Sequence, residues 1–320
     1  MRILSGIQPS GKLHIGNYFG MMKPALELQH EGDAYLFIAN YHALTTVTDG
    51  ELLRAATLDV ALDFLACGLD PTKTVFFRQS DVPEVTELTW LLATVTPMGL
   101  LERCHSYKDK LAKGIPASHA LFSYPVLMAA DILAVQSEVV PVGRDQKQHV
   151  EVTRDIAMKF NQRFGEIFTI PEPSIRDHVA VVPGIDGQKM SKSYDNHIEL
   201  FGSPKATKKR VMQIVTDSTS LEDPKNPESC NVFALYRLFA TDAEQAEMAE
   251  QYRAGGFGYG HAKKALLEVM ERELGPARVR REKLAQDLGY VQDVLRDGGL
   301  RARAVARETL DRARAATGLL

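Results

Sequence analysis

The chain is expected to fold as an α/β protein, with a parallel sheet covered by helices on both faces and a smaller all-helical region after it. Two observations predict this. In the first half, short β-type runs alternate with amphipathic helical stretches, the pattern of a parallel sheet. From about Lys205 onward the strand signal disappears, and helical segments are divided by glycine or proline. Arg2–Ser5 reads as a strand that runs into a glycine-rich turn, and a helix is expected from about Gly16 to Glu31. Tyr35–Ala39 and Thr74–Arg78 read as the second and third strands. Helices are expected over Leu52–Cys67 and, after Pro83, over Glu84–Thr94. Val139–Val142 reads as a buried strand, Asp145–Phe164 as a long helix, and Val179–Val182 as the strand that closes the series. In such sheets ligands sit beyond the carboxyl ends of the strands.

The helical region is read as Lys205–Val215, Asn231–Phe239, Asp242–Arg253, Ala262–Glu273 and Pro276–Gly289. A last helix, Leu300–Thr317, is rich in Ala and Arg and is expected to fold back on the first domain. Ser218–Ser229 is a long polar loop, expected to be mobile.

Composition narrows the function classes. A chain of 320 residues can bury a large core in one or two domains. It is 45% apolar and 25% charged, as in soluble globular proteins. No apolar run approaches the roughly 20 residues of a membrane span. The opening residues lack the apolar core of a signal peptide, so a cytoplasmic protein without membrane contact is expected. Cys67, Cys104 and Cys230 are scattered without finger spacing, so neither zinc nor an iron–sulfur cluster is expected. The net charge of −3 does not advertise nucleic-acid binding. Two local clusters do carry positive charge: Lys205, Lys208, Lys209 and Arg210, and the arginines from Arg296 to Arg314. A solvated helix face and RNA contact both explain them.

Lys189-Met190-Ser191-Lys192-Ser193 holds the densest chemistry. Two ammonium groups and two hydroxyls follow the turn Pro183-Gly184-Ile185-Asp186-Gly187, on a loop suited to a polyphosphate. Near the other end stands Pro9-Ser10-Gly11-Lys12-Leu13-His14-Ile15-Gly16-Asn17. Its glycines let backbone approach a ligand, and a helix opening near Gly16 would present N–H groups to an anion. No Gly-Lys-Ser/Thr follows, so this is not a P-loop. An ordinary strand–turn–helix remains an equal reading. Tyr124, Met128 and Asp131 are spaced to share one helix face, offering a phenol, a thioether and a carboxylate. Asp131 could equally cap or salt-bridge locally.

Together these segments resemble a known family. Lys189–Ser193 matches the KMSKS motif of class I aminoacyl-tRNA synthetases letter for letter, and Pro9–Asn17 resembles their HIGH motif, with Asn17 in the last place. Ser5–Gly11, Tyr124–Leu133 and Val140–His149 extend the resemblance to the tryptophanyl-tRNA synthetase family over nearly the whole chain. His14 stands where many bacterial members carry threonine, Tyr194 where Asp is common, and Leu4 where some have Phe. The resemblance implies a Rossmann-like catalytic domain over 1–183, the KMSKS loop over 184–194, a helical anticodon-side domain over 195–295 and a C-terminal helix over 296–320. It also implies a homodimer.

The implied reaction activates L-tryptophan with ATP, releases pyrophosphate, and transfers the tryptophan to the 3′ end of tRNA(Trp). Mg²⁺ is expected to arrive with ATP, and no metal is expected on the protein itself. The attacking carboxylate is already an anion, so no protein nucleophile is needed. The resemblance makes Lys189, Lys192, His14 and Asn17 catalytic. It assigns ATP to Gln8, Pro9, Ser10, Gly16, Asn17 and the whole run Lys189, Met190, Ser191, Lys192 and Ser193. Gly143, Arg144 and Asp145 are expected near the ribose, and Val181 or Val182 near the adenine. Asp131 is implied as acceptor of the indole N–H, with Met128 beside it and His42 facing the ring. Tyr124 and Gln146 are implied to hold the α-amino group. A tyrosyl-tRNA synthetase and a non-catalytic tryptophan-binding paralogue are the rival readings.

Overall fold

The computed structural model describes residues 1–104, 107–108, 118–143, 146–175 and 182–320. Five parallel strands form one sheet in the order β3-β2-β1-β4-β5: β1 Arg2–Ile7, β2 Asp33–Ile38, β3 Thr74–Arg78, β4 Val139–Val142 and β5 Glu172–Ile175. β2 is buried at five successive positions, which is why it reads as one apolar run rather than an alternation. In the register, Gly6 lies opposite Phe37. A Cβ at Gly6 would stand 2.4 Å from the Phe37 ring, so only glycine fits there. The strand order reverses between β1 and β4, which opens a crevice at their carboxyl ends.

Several expectations are corrected. The closing strand is Glu172–Ile175, whereas residues 179–181 of the expected strand lie outside the described residues. Val182 is buried but belongs to no strand; its carbonyl accepts from the Met190 N–H at 2.9 Å. The helix expected over 16–31 is four short pieces: Ile15–Asn17, a π turn over Tyr18–Met22, Lys23–Glu27 and a 3₁₀ turn over Leu28–His30. Pro24 has no N–H to give to the preceding turn, and the ladder widens just ahead of it.

The break expected at Pro276 is also absent. One helix runs over Tyr259–Gln286, with Leu266, Val269, Met270, Leu274 and Ala277 buried. It packs on the helix Gly50–Ala66 and on Asn231–Tyr236, and that burial outweighs the hydrogen bond lost at the proline. Arg281 fastens it to the first helix, with Nε 2.5 Å from Asp63 Oδ1 and a terminal nitrogen 2.6 Å from Asp59 Oδ1.

The last helix begins at Leu288, not Leu300, and runs to Thr317. Gly298 and Gly299 lie inside it. They do not break it, because they sit where the helix touches β3: a Cβ on Gly298 would stand 1.9 Å from the Phe76 carbonyl oxygen. β3 is an edge strand, and this helix covers it around Gly298 and runs on over the helices Glu84–Ala93 and His119–Ala134, burying Ala302, Ala306, Leu310 and Ala313. Arg303 reaches buried Glu84 at 2.8 Å. The loop expected to be mobile is tied down. Buried Lys225 donates to the carbonyls of Ser220, Leu221 and Asp223 at 2.7–3.1 Å. Among the described residues no helix is long and apolar enough to cross a membrane.

Candidate active site

A cavity of about 390 Å³ lies at the carboxyl ends of β1, β2 and β4. Tyr124, Met128 and Asp131 enter it from the helix His119–Ala134, joined by His42, Gln8, Gly143 and Gln146. Every residue assigned above to tryptophan therefore lines one space. Ser118 starts the helix by accepting from the Leu121 N–H. Four- and three-residue spacing then aims the three side chains the same way.

Asp131 is 6% exposed, and its carboxylate is held from two sides. His42 Nε2 donates to Oδ2 at 2.8 Å. Gln79 Nε2 donates to Oδ1 and Oδ2 at 2.8 and 2.9 Å. Gln79 went unremarked in the sequence. The available signal was its place just beyond the carboxyl end of β3, where ligand-binding residues gather. Tyr124 packs edge-on to His42, and its hydroxyl lies 2.5 Å from His149 Nε2.

The glycine turn and the lysine loop meet outside this cavity's lining, joined to it through Gln8, whose carbonyl accepts from the Ser10 N–H at 3.0 Å. Gly11 takes φ +97°, a conformation other residues rarely adopt, and brings the Ser10 carbonyl toward the loop. Lys192 Nζ donates to that carbonyl at 3.0 Å. The Gly16 N–H points at Met190 Sδ, 3.3 Å away, and Met190 is buried. Backbone bonds complete the junction: Ile15 N–H donates to the Ile198 carbonyl and Leu200 N–H to that of Leu13. Two segments some 180 residues apart thus share one wall.

His14 caps the short turn Ile15–Asn17. Its Nδ1 accepts from the Asn17 N–H at 3.3 Å, and Asn17 Oδ1 accepts from the His14 N–H at 3.1 Å. Burial, with Lys192 and His197 nearby, lowers the His14 pKa to about 4. The ring is therefore neutral near pH 7, as an acceptor must be. Burial also pulls Lys192 below the ordinary lysine range, against an opposing push from Glu199. This ammonium is under-compensated, and an incoming phosphate would correct that.

Asn196 organises the lysine loop and was also missed in the sequence. It is 1% exposed. Its Oδ1 accepts from the Ser191 N–H at 2.7 Å, and its Nδ2 donates to Asp186 Oδ1 and the Lys189 carbonyl. A Cβ on Gly184 would stand 2.4 Å from Asn196 Cγ, which explains that glycine. Lys189 and Ser193 are exposed, so they are not gathered into the wall as Lys192 is. Arg144, Asp145 and Val181 lie outside the described residues. Among the described residues no cluster of His, Cys, Asp and Glu is placed to hold a metal ion.

Comparison with known proteins agrees with this geometry. The model of a family described as tRNA synthetases class I (W and Y) matches residues 1–275. The tryptophan–tRNA ligase of Fusobacterium nucleatum is 57% identical over 320 residues, covering all of this chain and 98% of that protein. That of Rhodopirellula baltica is 57% identical over 319 residues and the full length of both. Among solved structures, tryptophanyl-tRNA synthetase from Campylobacter jejuni complexed with ADP and tryptophan superposes with a TM-score of 0.95, at 52% identity and full coverage of both chains.

Proposed function

We propose that this chain, which belongs to the class I tRNA synthetases (W and Y), is a tryptophan–tRNA ligase. The carboxylate of L-tryptophan displaces pyrophosphate from ATP to give tryptophanyl-adenylate, and the 3′ end of tRNA(Trp) then takes the tryptophan and releases AMP. One observation carries the chemistry. Lys192 and the His14 turn close on a single wall next to a cavity floored by Asp131.

In this reading the indole N–H, a donor only, meets the Asp131 carboxylate, with Met128 and His42 beside the ring. Tyr124 and Gln146 hold the α-amino group. The tryptophan carboxylate attacks the α-phosphorus in line, so positioning and charge neutralisation supply the rate. Lys189 and Lys192 neutralise the departing pyrophosphate, with Ser191, Ser193 and Met190 shaping that side. Gln8, Pro9, Ser10, Gly16 and Asn17 adjoin the lysine loop along the same wall, and neutral His14 holds the turn in shape. Gly143, Arg144 and Asp145 take the ribose, and Val181 or Val182 the adenine. Mg²⁺ travels with the ATP.

The division into residues 1–183, 184–194, 195–295 and 296–320 belongs to the same proposal. The helical part faces the anticodon side of the tRNA, its basic residues meeting phosphate. A homodimer working in the cytoplasm completes it. Amino-acid-dependent exchange of pyrophosphate into ATP is the test. Tryptophan should support exchange and tyrosine should not. Exchange with tyrosine alone would reassign the substrate, and tryptophan binding without exchange would mark a non-catalytic relative.

A further inference from the structure

Gln79 is 1% exposed and spends all of its hydrogen-bonding capacity on three residues. Its Oε1 accepts from the N–H groups of Tyr41 and His42 at 2.9 and 3.4 Å. Its Nε2 is thereby turned onto both oxygens of Asp131. An amide reversed about its axis would set oxygen against carboxylate and nitrogen against backbone N–H, so one orientation is fixed. A second amide link lies beside it, where Asn40 exchanges hydrogen bonds with Ser80 at 2.7 and 3.0 Å. The turn Gln79–Asp81 is thus laced to the start of the helix Asn40–Ala43 and to Asp131.

The opposite side of that turn is set by the C-terminal helix. Gly298 rests on the Phe76 backbone, and a Cβ on Gly299 would stand 2.8 Å from Asp81 Cβ. Arg78 donates to Asp81 Oδ2 and to Gln292 Oε1, both at 2.8 Å. Contact is continuous from Gly298 and Gly299, through the end of β3, to Gln79 and then Asp131. A carboxylate can accept about four hydrogen bonds. His42 and Gln79 already supply three contacts. One direction remains for a ligand donor.

We infer that Gln79 is a specificity-positioning residue: held in place by Gly298 and Gly299 of the C-terminal helix, it aims the one free acceptor direction of Asp131 at a single N–H donor in the cavity. This rests on the tryptophan–tRNA ligase reading. It extends that reading by making the last helix part of amino-acid recognition, although no residue of that helix lines the cavity. Without Gln79 the carboxylate is held by His42 alone and can turn about that one bond, and the match to indole N–H is lost.

The test compares binding of tryptophan with that of 3-benzothienylalanine, its isostere with sulfur in place of N–H. It also measures KM for tryptophan and ATP in pyrophosphate exchange. Wild type should prefer tryptophan by about 10- to 100-fold, the worth of a hydrogen bond to a charged group. Gln79→Met should reduce that preference to less than about threefold and raise KM for tryptophan about 10- to 100-fold, leaving KM for ATP within about twofold. Gln79→Glu, nearly the same size, should do the same if the methionine variant does not fold. Gly299→Ala should move both readouts in the same direction by a smaller factor. Gly260→Ala, where an added Cβ meets nothing within 4 Å, should move neither. Retained preference in a folded Gln79 variant overturns the inference. Lost preference in the Gln79 variants but not in Gly299→Ala or Gly298→Ala overturns the part played by the helix. A wild-type protein without tryptophan-dependent exchange instead refutes the underlying reading.

Discussion

The two sides of the site are built in opposite ways. On the side proposed for the amino acid, the buried Asp131 carboxylate is locked by buried His42 and Gln79, whose partners belong to separate elements. On the side proposed for the nucleotide, the lysine loop is exposed at Lys189 and Ser193, takes φ +83° at Gly187, and is held by Asn196, with Asp186 and Ser191 accepting from the Gln188 and Ser193 N–H groups. Selection of a planar side chain needs acceptors fixed before it arrives. Neutralising charge that develops on a leaving group needs cations that can advance and withdraw. Under the proposed assignment, the fixed acceptor lies beneath the indole and the exposed lysine loop over the phosphates.

Substitutions should separate the two sides, the largest effect coming first. Lys189→Ala with Lys192→Ala should slow pyrophosphate exchange by about 10⁴-fold, since each group that stabilises the developing charge is worth about 10²–10³. Calorimetric affinity for tryptophan should change less than about twofold. Asp131→Asn should do the reverse. It should cost about 100-fold in kcat/KM for tryptophan with little change in KM for ATP, because an amide sets a donor among donors. A smaller loss is expected from Asn196→Ala, which leaves the half-buried Ser191 N–H without its acceptor. KM for ATP should rise about tenfold with tryptophan binding intact.

The mildest expectation concerns pH. The His14 pKa is lowered to about 4 from an unfolded value near 6.5. The unfolded chain therefore binds more protons in that interval. The contribution of His14 is complete above about pH 6.5 and is lost as pH falls toward 4, by at most about 3 kcal/mol. Asp63 acts in the other direction, burial pushing its carboxyl up to about 6 against the pull of Arg281. Comparing urea unfolding of wild type and His14→Asn across pH 4–7 isolates the histidine. The gap between their stability curves should change through that window and stay flat above it.

The sequence made the fold readable wherever one physical signal dominated. β3 and β4 were delimited to the residue, because apolar runs bounded by turns leave little choice. It failed where tertiary contact overrode a local rule. The strand Glu172–Ile175 is a short edge containing Pro173, with no buried alternation to reveal it. Pro276 and the pair Gly298–Gly299 read as helix ends. Yet the first is carried by burial along the helix, and the second is demanded by close approach to β3. The site divides the same way. Residues within a compact motif, from His14 to Asn17 and from Lys189 to Ser193, were visible because their spacing is itself the chemistry. Gln79 and Asn196 act only through partners brought together by folding, and an isolated amide in a sequence announces nothing.

The most direct measurement is a crystal structure with tryptophan and a non-hydrolysable ATP analogue bound together. The indole nitrogen should lie within hydrogen-bond distance of Asp131, and the phosphates should lie between Lys192 and the Gly11–Asn17 turn, with Lys189 drawn inward. An indole bound away from Asp131, or phosphates that touch neither segment, would contradict the convergence on which the proposed chemistry depends.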